Sequence, residues 1–280
     1  MIYSSGSFVF LCTFVGDSTK TKLMKVHLIY FSATHTTQTV CRGVAQHWGK
    51  EIVEHDLTLE GPAGEVELSE DDLLVLGMPV YCGRIPELAT ERLASFRGHS
   101  SKAIAIAVYG NREYDDALIE MAQWLEAHNF HMVAAAAFIG RHCIFPAVAD
   151  GRPDAADEGK MKDFAEACRP LLEVPVDAIP RVAVPGNAEL PPYKRSSFCP
   201  VPTDQCTQCG TCAANCPAGA ISPEDASVVD ASRCLACGRC IVICPVGGRQ
   251  FAGEAYEQAS LRFTAAYSAR KEPVFFLPEM

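Results

Sequence analysis

Residues 206–217 read CTQCGTCAANCP and residues 234–245 read CLACGRCIVICP. Each run spells CxxCxxCxxxCP, and the second repeats the first at an offset of 28 residues, so two copies of one small unit are expected to face each other. Eight thiolates at this spacing suit two [4Fe-4S] clusters, each taking three ligands from one run and the fourth from the other. On that pattern Cys206, Cys209, Cys212 and Cys244 hold one cluster, and Cys234, Cys237, Cys240 and Cys216 hold the other.

A zinc ribbon uses four ligands with a longer gap between its CxxC pairs, and a third cysteine two residues further on has no place in it. A disulfide framework belongs to small secreted chains, whereas the remaining cysteines, 12, 41, 82, 143, 168 and 199, are scattered singly. The stretch resembles the bacterial two-cluster ferredoxins and reads as a carrier of one electron per cluster.

The rest of the chain is ordinary in composition. Its 280 residues have room for one domain of usual size and a small one, and 49% hydrophobic with 21% charged residues is globular. A formal net charge of −10 opposes nucleic-acid binding. Fourteen cysteines imply a reducing compartment, so a cytoplasmic location is expected. No run reaches the roughly 18 apolar residues of a membrane span. Residues 1–24 contain an apolar patch, Phe8 to Val15, with no basic residue before it and no clear cleavage site after it. Met24 directly precedes the first convincing strand, so the extension is expected to lack a fixed structure; a weak export signal or an added strand are the alternatives.

From Val26 short apolar runs alternate with amphipathic stretches, the pattern of a doubly wound parallel sheet. Strands are expected at 26–31, 52–56, 73–78, 103–109 and 133–139. Helices are expected at 37–48, 86–96, 114–128 and 156–173, with Pro170 kinking or restarting the last. The acidic stretch 65–72 reads as a solvated loop. This α/β unit spans 25–173, a stiff Pro-rich linker 174–203, and the small α+β ferredoxin-like unit 204–250. The tail 251–280 has helical spacing at Tyr256, Leu261 and Phe263 and is expected to pack back on one of the domains.

The loop after the first strand, Ser32-Ala33-Thr34-His35-Thr36-Thr37, runs into a helix. Hydroxyls and free N–H groups at a helix N-terminus form a phosphate cradle, and in a flavodoxin-like order this loop lies at the ligand-binding edge of the sheet. Two further loops, Gly77 to Pro86 and Val108 to Asp115, point to the same edge. Tyr81 and Tyr109, flanked by glycines, are placed to stack on a planar ring.

Taken together, residues 26–250 resemble the EFR-type iron–sulfur flavoproteins of anaerobic bacteria, flavodoxin-like domains fused to a two-cluster ferredoxin. The resemblance rests on the hydroxyl-rich loop, GMPVYCGRIP, YGNREYDDA, the turn Gly151 to Asp154 and the two cysteine runs. It implies FMN, with Ser32, Thr34, Thr36 and Thr37 at the phosphate and Pro79, Val80, Tyr81, Gly83, Tyr109, Gly110 and Asn111 near the ring. His35 stands where these loops usually carry Gly. If that position needs positive φ, His is tolerated less freely; its imidazole then lies beside the phosphate, or it is an exposed helix-start residue without a role.

Cys41 and Cys168 read as core residues, and a redox role for Cys82 would need an exposed thiol of low pKa. His142 and Arg152, between the fifth strand and the last helix, are expected at the surface, with a place in the wall of a substrate pocket as the alternative. The leading reading is an oxidoreductase-type electron-transfer flavoprotein exchanging electrons with a redox protein or a small molecule, as a monomer or a homodimer. The rival readings are a flavin-free ferredoxin with a scaffold domain and a reductase with a small organic substrate. The distance between the flavin edge and the nearer cluster decides whether one chain suffices.

Overall fold

A computed structural model describes residues 24–279; the expected extension over 1–23 lies outside the described residues, and Met24 packs against the core. The first domain is built on β1 (Lys25–Tyr30), β2 (Glu51–Asp56), β4 (Leu73–Pro79), β6 (Ser101–Tyr109) and β7 (Phe130–Ile139). Between them lie α1 (Thr36–Ala45), α2 (Glu87–Leu93) and α3 (Ala117–Ala127), and after them α4 (Ala155–Glu173). The five strands are parallel and ordered β2-β1-β4-β6-β7, the flavodoxin-like arrangement. All of β4 is buried, which explains its unbroken apolar run, whereas β2 lies at the edge and alternates. Helices cover both faces. Val40, Val44, Phe164 and Cys168 pack on one, and Leu93, Leu118, Met121 and Leu125 on the other.

Gly77 of β4 carries no Cβ for a reason. A Cβ there would collide with the Cys41 sulfur of α1 and lie 3.2 Å from Thr37 Cγ2. Both neighbours are buried, so G77A is expected to cost about 1–3 kcal/mol, read as a lower denaturation midpoint with unchanged m-value.

Several expectations are corrected. Residues 66–68 are not a solvated loop: β3 (Val66–Leu68) pairs in parallel with β5 (Phe96–Gly98), and Leu68 is fully buried. Buried Asp72 closes the turn that follows, accepting from Ser69 N at 3.1 Å and Ser69 Oγ at 2.6 Å. Helix α4 continues through Pro170 and does not restart there. The proline removes only the bond to the carbonyl of Glu166, an exposed position where water can substitute.

The Pro-rich segment is extended, but it is strapped to the first domain. Ile179 is buried against the core near the start of β7, and its carbonyl lies 3.1 Å from His131 Nε2. Further on, Gln123 of α3 donates to Ala188 O at 2.9 Å and Arg84 to Pro191 O at 2.7 Å. The strap carries the chain toward the carboxyl edge of the sheet, where the second unit docks. That unit contains β8 (Val201–Pro202), α5 (Thr211–Ala214), α6 (Arg239–Val242) and β9 (Arg249–Gln250). It is followed by α7 (Glu254–Tyr267) and β10 (Val274–Phe276), an added antiparallel edge strand on β7. Leu261 of α7 does not pack inward and is 75% exposed. Among the described residues no helix is long and apolar enough to cross a membrane.

Candidate functional site

The 28-residue repeat is visible in the backbone of the small unit. Gln208 and Ala236 take φ of 55° and 51°, Gly210 and Gly238 of 75° and 76°, and Gly219 and Gly247 of 54° and 63°. Gly210 and Gly238 then open α5 and α6. The same wrapping aims N–H groups at sulfur: Ala220 N donates to Cys216 Sγ at 3.3 Å, and Gly248 N to Cys244 Sγ at 3.1 Å.

Two small cavities result. Cys206, Cys209, Cys212 and Cys244 line one; Cys216, Cys234, Cys237 and Cys240 line the other. Each combines three cysteines of one run with the fourth of the other. Among the described residues no three His, Cys, Asp or Glu side chains converge as one metal ion requires, whereas four thiols around a cavity suit a multi-atom cluster. Burial pushes the Cys234 thiol up to about 12 and Cys240 to about 11. Metal binding deprotonates such thiols, so cluster assembly releases protons and contributes folding energy.

At the carboxyl edge of the main sheet lies a cavity of about 420 Å³. Thr34, Thr36 and Thr37 form one end, and Pro79, Val80, Tyr81, Gly83, Tyr109 and Gly110 line it further on. The Tyr81 loop is held rigidly. Tyr81 N donates to Arg84 O at 2.8 Å and Arg84 N to Tyr81 O at 3.1 Å, while Arg84 Nε and Ile85 N both donate to buried Glu120. Burial pushes the Tyr109 phenol up to about 12 and Tyr81 well above its ordinary value, with the Cys237 and Cys143 thiols adding to the latter. Both rings are therefore neutral phenols, apolar on their faces and polar at one tip.

Three residues named from the resemblance do not line this cavity. Buried Ser32 uses its hydroxyl to accept from Gln38 N at 3.0 Å, bracing the first turn of α1. His35 takes φ 64° and is exposed, so it supplies the left-handed turn and leaves the Thr34–Thr37 end open. Asn111, also at positive φ, donates to Tyr267 O at 2.6 Å and Ala269 O at 2.8 Å, latching the C-terminal tail. Cys82 sits at the rim with its thiol raised, chiefly by burial, which is opposite to an activated thiolate.

Of the other lining residues, sequence reasoning offers only His142, as the alternative to a surface position. The loop after β7 supplies Gly140 through Phe145, the strap supplies Arg195 through Phe198, and α7 supplies Phe263. The position of the first loop, at the end of the fifth strand, is the one signal that could have found it. His142 is thus a cavity residue and not a surface one. Its Nδ1 accepts from Ile144 N at 3.2 Å and Phe145 N at 3.1 Å, which leaves Nε2 to carry the proton of the neutral ring. Arg152 is likewise buried, donating from Nε to Asp157 Oδ2 at 2.8 Å and from Nη1 to Lys271 O at 2.7 Å.

Burial lowers His142 from 6.5 to about 4, with Arg112 adding to the shift. The unfolded chain therefore takes up this proton at higher pH than the folded one, so stability is complete above about pH 6.5 and falls toward pH 4. Denaturation midpoints between pH 7.5 and 5 are expected to drop less in His142→Gln than in the unaltered protein.

The cavity and the cysteine unit adjoin. Leu235 and Ala236, which lie between Cys234 and Cys237, form part of the cavity wall. Cys237 itself packs against the core of the first domain. The contact is pinned by Arg92 Nη2 to Pro217 O at 2.8 Å and by Arg239 Nη1 to Ala33 O at 3.2 Å. A Cβ on Gly238 would lie 3.2 Å from Cys143 O and 3.8 Å from Thr34 Cγ2, so the second cysteine run touches two cavity loops directly.

Residues 205–248 match the 4Fe-4S dicluster domain family. No curated protein matches the chain. Among solved structures, a short-chain flavodoxin associated with a bacterial microcompartment is 13% identical, with a TM-score of 0.39 over 54% of this chain and 100% of its own. Flavodoxin 2 from Bacillus cereus is 13% identical, with a TM-score of 0.38 over 52% of this chain and 99% of its own. An archaeal flavodoxin is 12% identical, at 0.35, over 54% and 100%. The strand order carries the fold assignment independently of these scores: a flavodoxin-like domain is fused to a dicluster iron–sulfur domain.

Proposed function

We propose that the chain is an electron relay of the EFR type, in which FMN in the 420 Å³ cavity exchanges electrons with two [4Fe-4S] clusters. The observation that carries this reading is the shared wall: the segment between Cys234 and Cys237 lines the same cavity as Thr36 and Tyr81. Cys216, Cys234, Cys237 and Cys240 hold the cluster nearer the flavin. Cys206, Cys209, Cys212 and Cys244 hold the farther one, from which a redox partner is served.

The donor set fits both groups. Thr34, Thr36 and Thr37, with the unbonded N–H groups at the start of α1, offer a phosphate end, and Arg141 lines the same cavity. Tyr81 and Tyr109 offer ring faces, and neutral His142 offers an N–H for an acceptor. When bound, a flavin converts a two-electron exchange into single-electron steps, matching the one electron that each of two clusters accepts. Because one chain brings the cavity and the nearer cluster together, a dimer is not required for the relay. The open Thr34–Thr37 end, with His35 turned outward, favours the flavoprotein over an emptied scaffold.

The test is anaerobic reconstitution followed by counting iron, sulfide and FMN. The proposal expects eight irons, eight sulfides and one FMN per chain; eight irons with no flavin after FMN incubation would leave only a carrier.

A further inference from the structure

Both cysteine cavities share one side chain, Arg249, which lines each of them. The residue is 3% exposed. Its Nη1 donates to Ala226 O at 2.5 Å and lies 3.7 Å from Cys212 Sγ, and Nη2 donates to Pro200 O at 2.8 Å. Its Nε is buried and has no hydrogen-bond partner. Among the described residues no carboxylate pairs with it. One cation therefore lines both cavities and lies 3.7 Å from a sulfur of the first.

A buried guanidinium without a counter-anion and with an idle N–H is costly, and such groups persist where an anion completes the site. Each cavity supplies one once four thiolates hold a cluster, since the assembly carries net negative charge.

Resting on the cluster reading above, we infer that Arg249 is the shared counter-cation of the two clusters and favours the reduced form of each. Reduction adds one electron, and hence one negative charge, to each cluster, with dithionite as the electron source in a titration. A fixed neighbouring cation stabilises the added charge. Removing it is expected to shift the reduced-to-oxidised ratio at a fixed solution potential by on the order of tenfold or more for both clusters.

The experiment is an EPR-monitored redox titration of the reconstituted full chain, alongside Arg249→Gln and Arg249→Lys. Expected are eight irons in all three proteins, both midpoint potentials shifted negative in R249Q, and near-normal potentials in R249K. A fully loaded R249Q with either potential unmoved overturns the inference, because a merely structural arginine would leave potentials unchanged. If R249Q does not assemble, pulsed EPR of the unaltered protein labelled with ¹⁵N-arginine decides. Nitrogen coupling at both reduced clusters, lost in R249K, is expected, and absence at either cluster overturns the inference. Iron counts in the unaltered protein separate the two failures: fewer than eight removes the cluster reading itself, whereas eight with unmoved potentials removes only the role of Arg249.

Discussion

Cys216→Ser is expected to remove the four irons nearer the flavin, as Cys234→Ser does, although Cys216 belongs to the first run. The reason is the crossover: Cys216 lines the cavity of Cys234, Cys237 and Cys240, whereas Cys244 lines that of Cys206, Cys209 and Cys212. Sequence proximity would group the variants by run, and geometry groups them by cavity. Iron content is expected to fall from eight to about four in either group, but only the first group loses transfer between flavin and cluster. Unfolding midpoints should fall in both, since cluster binding is also folding energy in so small a unit. Flavin-to-cluster transfer persisting in C216S while vanishing in C244S would overturn the assignment.

Removing residues 254–280 is expected to weaken FMN binding by roughly tenfold to a hundredfold and to destabilise the first domain by about 3 kcal/mol or more, from the aromatic area uncovered. The tail forms part of the cavity. Phe263 packs on Phe145 at 4.6 Å and on His142 at 4.7 Å between ring centroids, and Tyr256 donates to Ile144 O at 2.9 Å. Strand β10 pairs with Ala135, Ala136 and Ala137, and Phe275 lies 5.9 Å from Phe138 and 4.9 Å from Phe164. Asn111 would lose both carbonyls that it holds. Fluorescence titration with FMN and denaturant unfolding read the two effects; unchanged flavin affinity would mean that the tail does not wall the site.

What could be read from sequence follows from how locally each feature is encoded. Strands β1, β4, β6 and β7 are mostly buried and so appear as near-continuous apolar runs, whereas the edge strand β2 alternates. The cysteine runs carry chemistry in their spacing alone. The strands Val66–Leu68 and Phe96–Gly98 are three residues each, too short for a periodic pattern, and they form only by pairing with each other. The edge strand Val274–Phe276 depends on a partner more than 130 residues away. His142 and Arg152 were misplaced for a related reason. Polar side chains in a loop read as exposed, whereas Phe263 of α7 packs on His142, and Asp157 of α4 with Lys271 of the tail encloses Arg152. At His35 the sequence posed the right question, whether the turn needs positive φ, and the φ of 64° answers it with an outward-facing ring.

The central claim is that the flavin cavity and the nearer cluster meet within one chain. It is tested most directly by flash photoreduction of the bound flavin in the reconstituted protein, following cluster absorbance as the protein is diluted. The relay predicts cluster reduction with a first-order rate constant that does not change on dilution. A rate that falls in proportion to protein concentration, or no cluster reduction at all, would contradict it.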